Sequence, residues 1–492
     1  MSILAIDAGT TGVTALVVSD QGLILAKGYQ EFEQHFPEPG WVEHDLEDIW
    51  QATLSACKAA LTKAAVKPTA IGITNQRETI ALWNKSTLQP ARKAIVWQDR
   101  RTSSMVAELK AKGLEQSIKA KTGLGLDPYF SSTKLLWLSK HEKALWSAVK
   151  NGGIRLGTID SFLIAKLTAG KAHVTDASNA SRTQLLNIHT GLWDDELLEI
   201  FDVPKIALPE VMASYGTAAE TEPETFLGLR LPIAGIAGDQ QAALFGQAAF
   251  EVGDNKCTYG TGAFILTNTG SVALASSAGL LTTIAWQAPS GELTYALEGS
   301  VFVAGAAVQW LRDGLKIINK SSDVEDLAGQ VSSSSGVVFV PALTGLGAPH
   351  WQPNARGTIF GLTRGTTDAH IARATLEAIV YQIRDVIDAI KQDAQINLGA
   401  LYADGGAAAN GLLLQLQADQ LGIPVMRGKN IETTGLGAAF LAGLGTGVWS
   451  NKEELKSVFQ LDRRFEPKPT DPEGYKSWAR AVELCKSWTE IS

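Results

Sequence analysis

A chain of 492 residues is longer than one hydrophobic core comfortably serves, so two domains with a cleft between them are expected. Its 45% hydrophobic and 19% charged residues exclude a disordered chain. A net charge of -8 argues against a phosphate-tracking nucleic-acid surface, which needs clustered Lys and Arg, and favours a small-molecule partner.

The chain opens on three predicted strands between Ser2 and Gln30: Ile3 to Ile6, Val13 to Val18 and Leu23 to Ala26. Gly9-Thr10-Thr11-Gly12 and Asp20-Gln21-Gly22 punctuate them, which gives a meander with a Gly/Thr tip. A helix is predicted from Leu46 to Ala65, because Ile49, Trp50, Leu54, Cys57 and Leu61 share one stripe and Asp45 can cap its start. Gly238-Asp239 precedes a helical stretch from Gln240 to Gln247, where Asp239 is placed to cap. The run from Lys256 to Thr269 repeats the opening grammar of strand, Tyr259-Gly260-Thr261-Gly262 tip and apolar strand. A duplicated architecture is therefore expected, divided into residues 1–247 and 248–492 near Gly246 to Gly253. Further helices are predicted over Ala304 to Leu311 and Thr375 to Lys391, and a third glycine turn, Asp404-Gly405-Gly406-Ala407-Ala408-Ala409-Asn410, precedes an Ala/Leu helix.

Cys57, Cys257 and Cys485 are odd in number and far apart, which predicts free thiols in a reducing compartment. No basic segment leads into an apolar core near Met1, and no apolar run is long enough to span a bilayer. A cytoplasmic protein without membrane insertion is expected.

Neither GxxxxGK[ST] nor GxGxxG occurs, so a bound nucleotide would be held by other means. Asp7-Ala8-Gly9-Thr10-Thr11-Gly12 offers a strand-end carboxylate, exposed amides and hydroxyls suited to phosphate oxygens. Each Gly/Thr tip alone is an ordinary hairpin turn. Two of them, one in each half, can clasp a polyphosphate across a cleft.

Several ordered segments carry a wider resemblance. They are Thr74-Asn75-Gln76-Arg77-Glu78-Thr79, Val96-Trp97-Gln98-Asp99-Arg100-Arg101-Thr102, Asp127-Pro128-Tyr129-Phe130-Ser131, Gly238-Asp239-Gln240-Gln241-Ala242-Ala243 and Thr344-Gly345-Leu346-Gly347-Ala348-Pro349. Two longer signature segments run from Tyr129 through Trp137, with Lys134, and from Gly357 through Glu377, with Gly361 and His370. From Ile3 to about Trp449 the sequence resembles the FGGY carbohydrate kinases, in their glycerol-phosphorylating branch.

The resemblance implies an α/β protein of the actin, hexokinase and Hsp70 type, which is ribonuclease H-like, with duplicated mixed-sheet domains around a central cleft. It implies transfer of phosphate from ATP, with Mg2+, to a small polyol, glycerol foremost. On this resemblance Arg77, Glu78, Tyr129, Asp239 and Gln240 match polyol-binding positions, and Trp97 and Phe264 an apolar wall. Thr10, Thr11, Gly12 and Thr261 match phosphate contacts, and Gly305, Gln309, Gly406 and Asn410 the remaining nucleotide positions. Asp7 is the expected protein partner of magnesium, directly or through water, and Asp239 the proton acceptor. A dimer or tetramer is implied, and Gly228 and Arg230 match a loop that binds fructose 1,6-bisphosphate in some bacterial relatives.

The side chains agree with a hydroxyl-rich substrate on their own chemistry: Glu78 and Asp239 accept hydroxyl protons, Arg77 donates, and aromatic rings cover carbon-bound hydrogens. An adjacent Arg77-Glu78 pair would otherwise read as a surface ion pair. The first phosphate loop departs from the family pattern: Ala8 stands where Gln is common, and Gly12-Val13-Thr14 replaces Ser-Ser-Arg, which removes a cation from the ATP side. A related kinase acting on a pentulose or another polyol, and a non-catalytic ATP-binding switch of the same fold, remain as alternatives.

Overall fold

Two mixed sheets organise the molecule, and the computed structural model describes residues 1–488. The first half contains β1 (Ser2–Ala8), β2 (Gly12–Ser19), β3 (Ile24–Glu31), α1 (Leu46–Ala64), β4 (Ala70–Asn75), α2 (Ser131–His141), α3 (Ala177–Ser181), β5 (Tyr215–Glu220), β6 (Pro232–Gly238) and α4 (Asp239–Gly246). The second contains β7 (Asn255–Tyr259), β8 (Ala263–Gly270), β9 (Leu281–Gln287), β10 (Leu293–Val301), α5 (Gly305–Asp313), α6 (Asp368–Ala394), β11 (Leu401–Asp404), α7 (Gly411–Leu421), β12 (Val425–Gly428), α8 (Thr433–Gly445), β13 (Leu461–Phe465) and α9 (Glu473–Trp488).

The sheets share one plan. In the first, β3, β2 and β1 form an antiparallel meander, β4 and β6 add in parallel, and β5 closes the edge antiparallel. In the second, β10, β8 and β7 form the meander, β11 and β12 add in parallel, and β13 closes the edge, with β9 added outside β10. This is the duplicated, two-domain architecture of the actin-like class.

β1 and β2 are buried almost throughout because helices cover both faces of their sheet. On one face Leu4, Ile6, Val13 and Val17 pack against Ile49, Trp50 and Ala56 of α1, whose start is capped by Asp45 Oδ1 accepting from the Glu47 amide at 2.9 Å. On the other face Ile3, Ala5, Leu16 and Val18 pack against Leu436, Ala438, Phe440 and Ala442 of α8, a helix from the second half of the chain. The same core takes in Phe245 of α4 and Leu266 of β8. The expected chain division after Gln247 falls at the C-cap of α4, and the two halves share one interior across it.

Two predicted elements differ in extent. β3 continues to Glu31 because Ala26 and Gly28 alternate inward along an otherwise exposed edge strand. α6 begins at Asp368, where Thr367 and His370 form a reciprocal capping box, so small Ala369 and Ala372 extend the buried stripe ahead of Leu376.

Candidate active site

Three parallel strands of the first sheet end on the same side, and each delivers polar groups there, as expected for open α/β sheets. β1 carries Asp7 one residue before its end, β4 leads into Arg77 and Glu78, and β6 leads into Asp239. Glu78 takes a left-handed backbone, φ 62°, a costly conformation for a non-glycine residue and one that concentrates at functional turns.

Arg77 and Glu78 are buried, so the surface-pair reading does not hold. They stay in loose contact, with Arg77 Nε 3.9 Å from Glu78 Oε1, while each makes its shorter contacts elsewhere. Arg77 gives Nε to Asp239 at 3.1 Å and its Nη1 and Nη2 to Glu298 at 2.6 and 3.1 Å. Glu78 accepts from Arg182 Nε at 2.7 Å, and Arg182 Nη2 reaches Glu298 at 3.1 Å. Burial opposes charge on Glu298, yet Arg182 and Arg77 outweigh it and hold the carboxyl at about 2. Burial pushes Glu78 upward against the pull of the same two guanidiniums.

Asp239 is the first residue of α4 rather than its cap, which is Gly238. Its Oδ1 accepts from the adjacent Gln240 amide, at 2.7 Å, and stands 3.1 Å from Arg77 Nε, while the side chain keeps 30% exposure and so remains open to a ligand. A Cβ on Gly238 would lie 2.7 Å from Arg77 Cγ and Cδ, which is why glycine precedes the aspartate. Gln240 is buried, and its Oε1 accepts from Lys256 of β7.

Tyr129 completes the cluster around Arg77. Its hydroxyl lies 3.4 Å from Arg77 Nη2, and its ring meets Trp97 edge to face at 5.5 Å. The loop that carries it is gathered by Lys134 of α2, whose buried ammonium donates to the carbonyls of Pro128, Tyr129 and Phe130 at 2.5, 2.9 and 3.2 Å. Burial pushes Lys134 down to about 7. Phe264 lies half-buried on β8, on the same face as Leu266.

Trp97 also donates its indole N–H to Thr10 Oγ1 at 3.0 Å, joining the aromatic pair to the first Gly/Thr loop. Gln34 and Gln76 donate to the carbonyls of Thr10 and Gly9 at 2.8 and 3.1 Å, and both glutamines meet the ring of buried His44, at 2.7 and 3.2 Å. Burial pushes His44 down to about 4. Thr11 is exposed, and Gly12 is buried at the foot of the hairpin, where a Cβ would lie 2.8 Å from the Tyr29 ring. Thr14 stands between Asp7 and Tyr29 in one cross-strand row, and Lys27, one row along on β3, pairs with Glu432.

Burial first, then Asp239 and Glu432, push Asp7 up to about 8. A carboxylate so placed gains from a divalent cation, which would return it to the charged form. Among the described residues no three His, Cys, Asp or Glu side chains gather for a metal.

In the second half, Thr261, Gly305, Gln309, Gly406 and Asn410 all line one cavity of about 410 Å³ with Glu325, so the five expected nucleotide residues converge. The hairpin tip is tied to the start of α5 by Ala304 N–H to Thr261 O, 2.9 Å, and Gly305 N–H to Gly260 O, 3.0 Å. Asn410 caps α7, its Oδ1 accepting from the Leu413 amide at 2.8 Å. Arg230 is exposed and lies between Glu220 at 3.7 Å and Glu222 at 3.4 Å, acidic neighbours that a bisphosphate would have to displace.

Sequence reasoning missed Arg182, Glu298, Lys256 and His44. The available signal was a lone charge inside an apolar strand pattern, as at Glu298 between Leu297 and Val301. No helix among the described residues is long and apolar enough to cross a membrane.

The duplicated sheets and the polar cluster at their strand ends define a two-domain carbohydrate kinase. The profile of the FGGY family of carbohydrate kinases, N-terminal domain, matches residues 2–246 and that of the C-terminal domain residues 255–446. The chain belongs to the FGGY family of carbohydrate kinases. It is 54% identical to a glycerol kinase of Bdellovibrio bacteriovorus over 98% of both chains. Among solved structures, Plasmodium falciparum glycerol kinase with ADP matches with TM-score 0.92 and 36% identity over 98% of both chains. A ligand-bound xylulose kinase from Lactobacillus acidophilus matches with TM-score 0.88 and 25% identity, over 100% of this chain and 98% of that one.

Proposed function

We propose that this chain is a cytoplasmic ATP-dependent glycerol kinase that forms sn-glycerol 3-phosphate. The observation that carries the reading is the convergence of Arg77, Glu78, Tyr129 and Asp239 beside the Trp97 ring. Donors, acceptors and an aromatic face then address hydroxyls and carbon-bound hydrogens together. The likeness to kinases named for glycerol over nearly the whole chain supports the same substrate.

In this reading a terminal hydroxyl oxygen bonds in line to the γ-phosphorus of ATP as the bond to the β,γ-bridging oxygen breaks, and ADP leaves. Asp239 takes the hydroxyl proton, with Arg77 holding the carboxylate in place. Thr10, Thr11, Gly12 and Thr261 address the phosphates, while Gly305, Gln309, Gly406 and Asn410 line the cavity for the nucleoside. Asp7 would hold magnesium, directly or through water, and the ion would supply neutralisation of phosphate charge when bound. Positioning and charge neutralisation supply most of the acceleration, because the transition state is loose. Residues 1–247 then carry the polyol side and 248–492 the nucleotide side. A homodimer or homotetramer is part of the reading; the acidic setting of Arg230 weighs against its fructose 1,6-bisphosphate element.

The xylulose kinase likeness makes a ketose kinase the specific rival. A coupled ADP-release assay across glycerol, dihydroxyacetone, erythritol, xylulose and ribulose separates them. Glycerol should give the highest kcat/KM. Turnover with a pentulose and none with glycerol would reject the proposal.

A further inference from the structure

Two charges of the second sheet reach across the molecule into the polyol side of the site. Register places Glu298 of β10 opposite Leu266 of β8, and Leu266 opposite Lys256 of β7, so the three stand in one row on one face. At the usual strand spacing the two charged Cα atoms are about 10 Å apart. Leu266 between them is buried against Phe245 of α4, whereas neighbouring Cys257, Ile265 and Leu297 point to the opposite face and the α6 core. The charged row therefore faces the first half of the chain.

Each charge takes hold of a residue flanking Asp239. Glu298 receives both Nη groups of Arg77, whose Nε remains for Asp239. Lys256 donates to Gln240, the residue after Asp239, and to Thr258 Oγ1 at 2.9 Å. Glu298 also bridges to Arg182, the partner of Glu78. The meander that bears this row carries the Gly260-Thr261 tip at its turn, so the same three strands present phosphate contacts and brace the polyol contacts.

We propose that Glu298 and Lys256 are positioning residues for the polyol, fixing Arg77 and Gln240 around Asp239 from the second sheet. The inference rests on the polyol-kinase reading of the cleft. Neither side chain needs to touch the substrate; Glu298 sets the direction of the Arg77 fork, and Lys256 anchors the first turn of α4.

The test uses full-length Glu298→Gln, Glu298→Asp and Lys256→Met beside wild type, with glycerol and ATP kinetics and calorimetric titration of ADP. The amide of Glu298→Gln loses the charge and keeps one acceptor oxygen, so the Arg77 fork loses at least one of its two Glu298 contacts or Arg182 loses its own; glycerol KM should rise about tenfold or more while the ADP Kd stays within about twofold. Glu298→Asp should recover part of that loss, and Lys256→Met should raise glycerol KM about threefold or more with ADP binding kept. Should Glu298→Gln fail to fold, Lys256→Met and Glu298→Asp carry the same comparison. Glycerol KM within about twofold of wild type in the folded variants would overturn the inference, as would an ADP Kd that rises by the same factor as KM. Wild-type protein inert toward glycerol would overturn the kinase reading first, which keeps the two failures apart.

Discussion

Arg77 Nε lies 3.1 Å from Asp239 Oδ1 while the two terminal nitrogens of the same guanidinium belong to Glu298. One planar group thus spans the proton acceptor proposed for the reaction and a carboxylate of the other sheet. Lysine offers a single ammonium and cannot make that span. Arg77→Lys should raise glycerol KM about 10- to 100-fold and leave ADP affinity within about twofold, read by steady-state kinetics and calorimetry. Unchanged glycerol KM would remove Arg77 from the polyol site.

Thr14 sits in the row that joins Asp7 to Tyr29, at the edge of the first phosphate loop. The nearest cation on that face, Lys27, is committed to Glu432. An arginine at position 14 would add a donor fork beside the phosphates. Thr14→Arg should tighten nucleotide binding about 3- to 10-fold, and no tightening in an ADP titration would count against a charge deficit there.

His44 links the loop geometry to pH. Its ring accepts from the Gln76 amide at one nitrogen and donates to Gln34 Oε1 at the other, an arrangement that needs the neutral form. With the folded value at about 4 against an ordinary 6.5, the unfolded chain takes the proton first. The stabilisation is therefore complete above pH 6.5 and is lost as pH falls toward 4, by about 3 kcal/mol in all. Urea unfolding of wild type and His44→Gln at pH 7.5 and 4.5 should show wild type losing more stability than the variant. Parallel losses would contradict the assignment.

Much of the fold was legible because its signals are local. Two meanders with Gly/Thr tips, the Asp45-capped α1 and the start of α4 beside Asp239 all follow from short-range patterns. The motifs also singled out Arg77, Tyr129 and five residues that line one cavity of the second half. What escaped depends on register between strands distant in sequence. Nothing near Glu298 says that it lies opposite Leu266, in the row of Lys256, or that it will meet an arginine 221 positions away. Likewise the place of α8 on the first sheet arises only when the two halves close over a common core. Arg77-Glu78 is misleading in isolation, since adjacent charges usually form a surface pair, and here both are buried and make their shortest contacts to Glu298 and Arg182.

Asp239 is the group proposed to receive the hydroxyl proton. The most direct measurement is single-turnover phosphorylation of glycerol by Asp239→Asn beside wild type, with ADP affinity measured on the same samples. Loss of transfer by about a hundredfold or more, with ADP Kd held within about twofold, is the predicted result. Transfer at a rate close to wild type would contradict it.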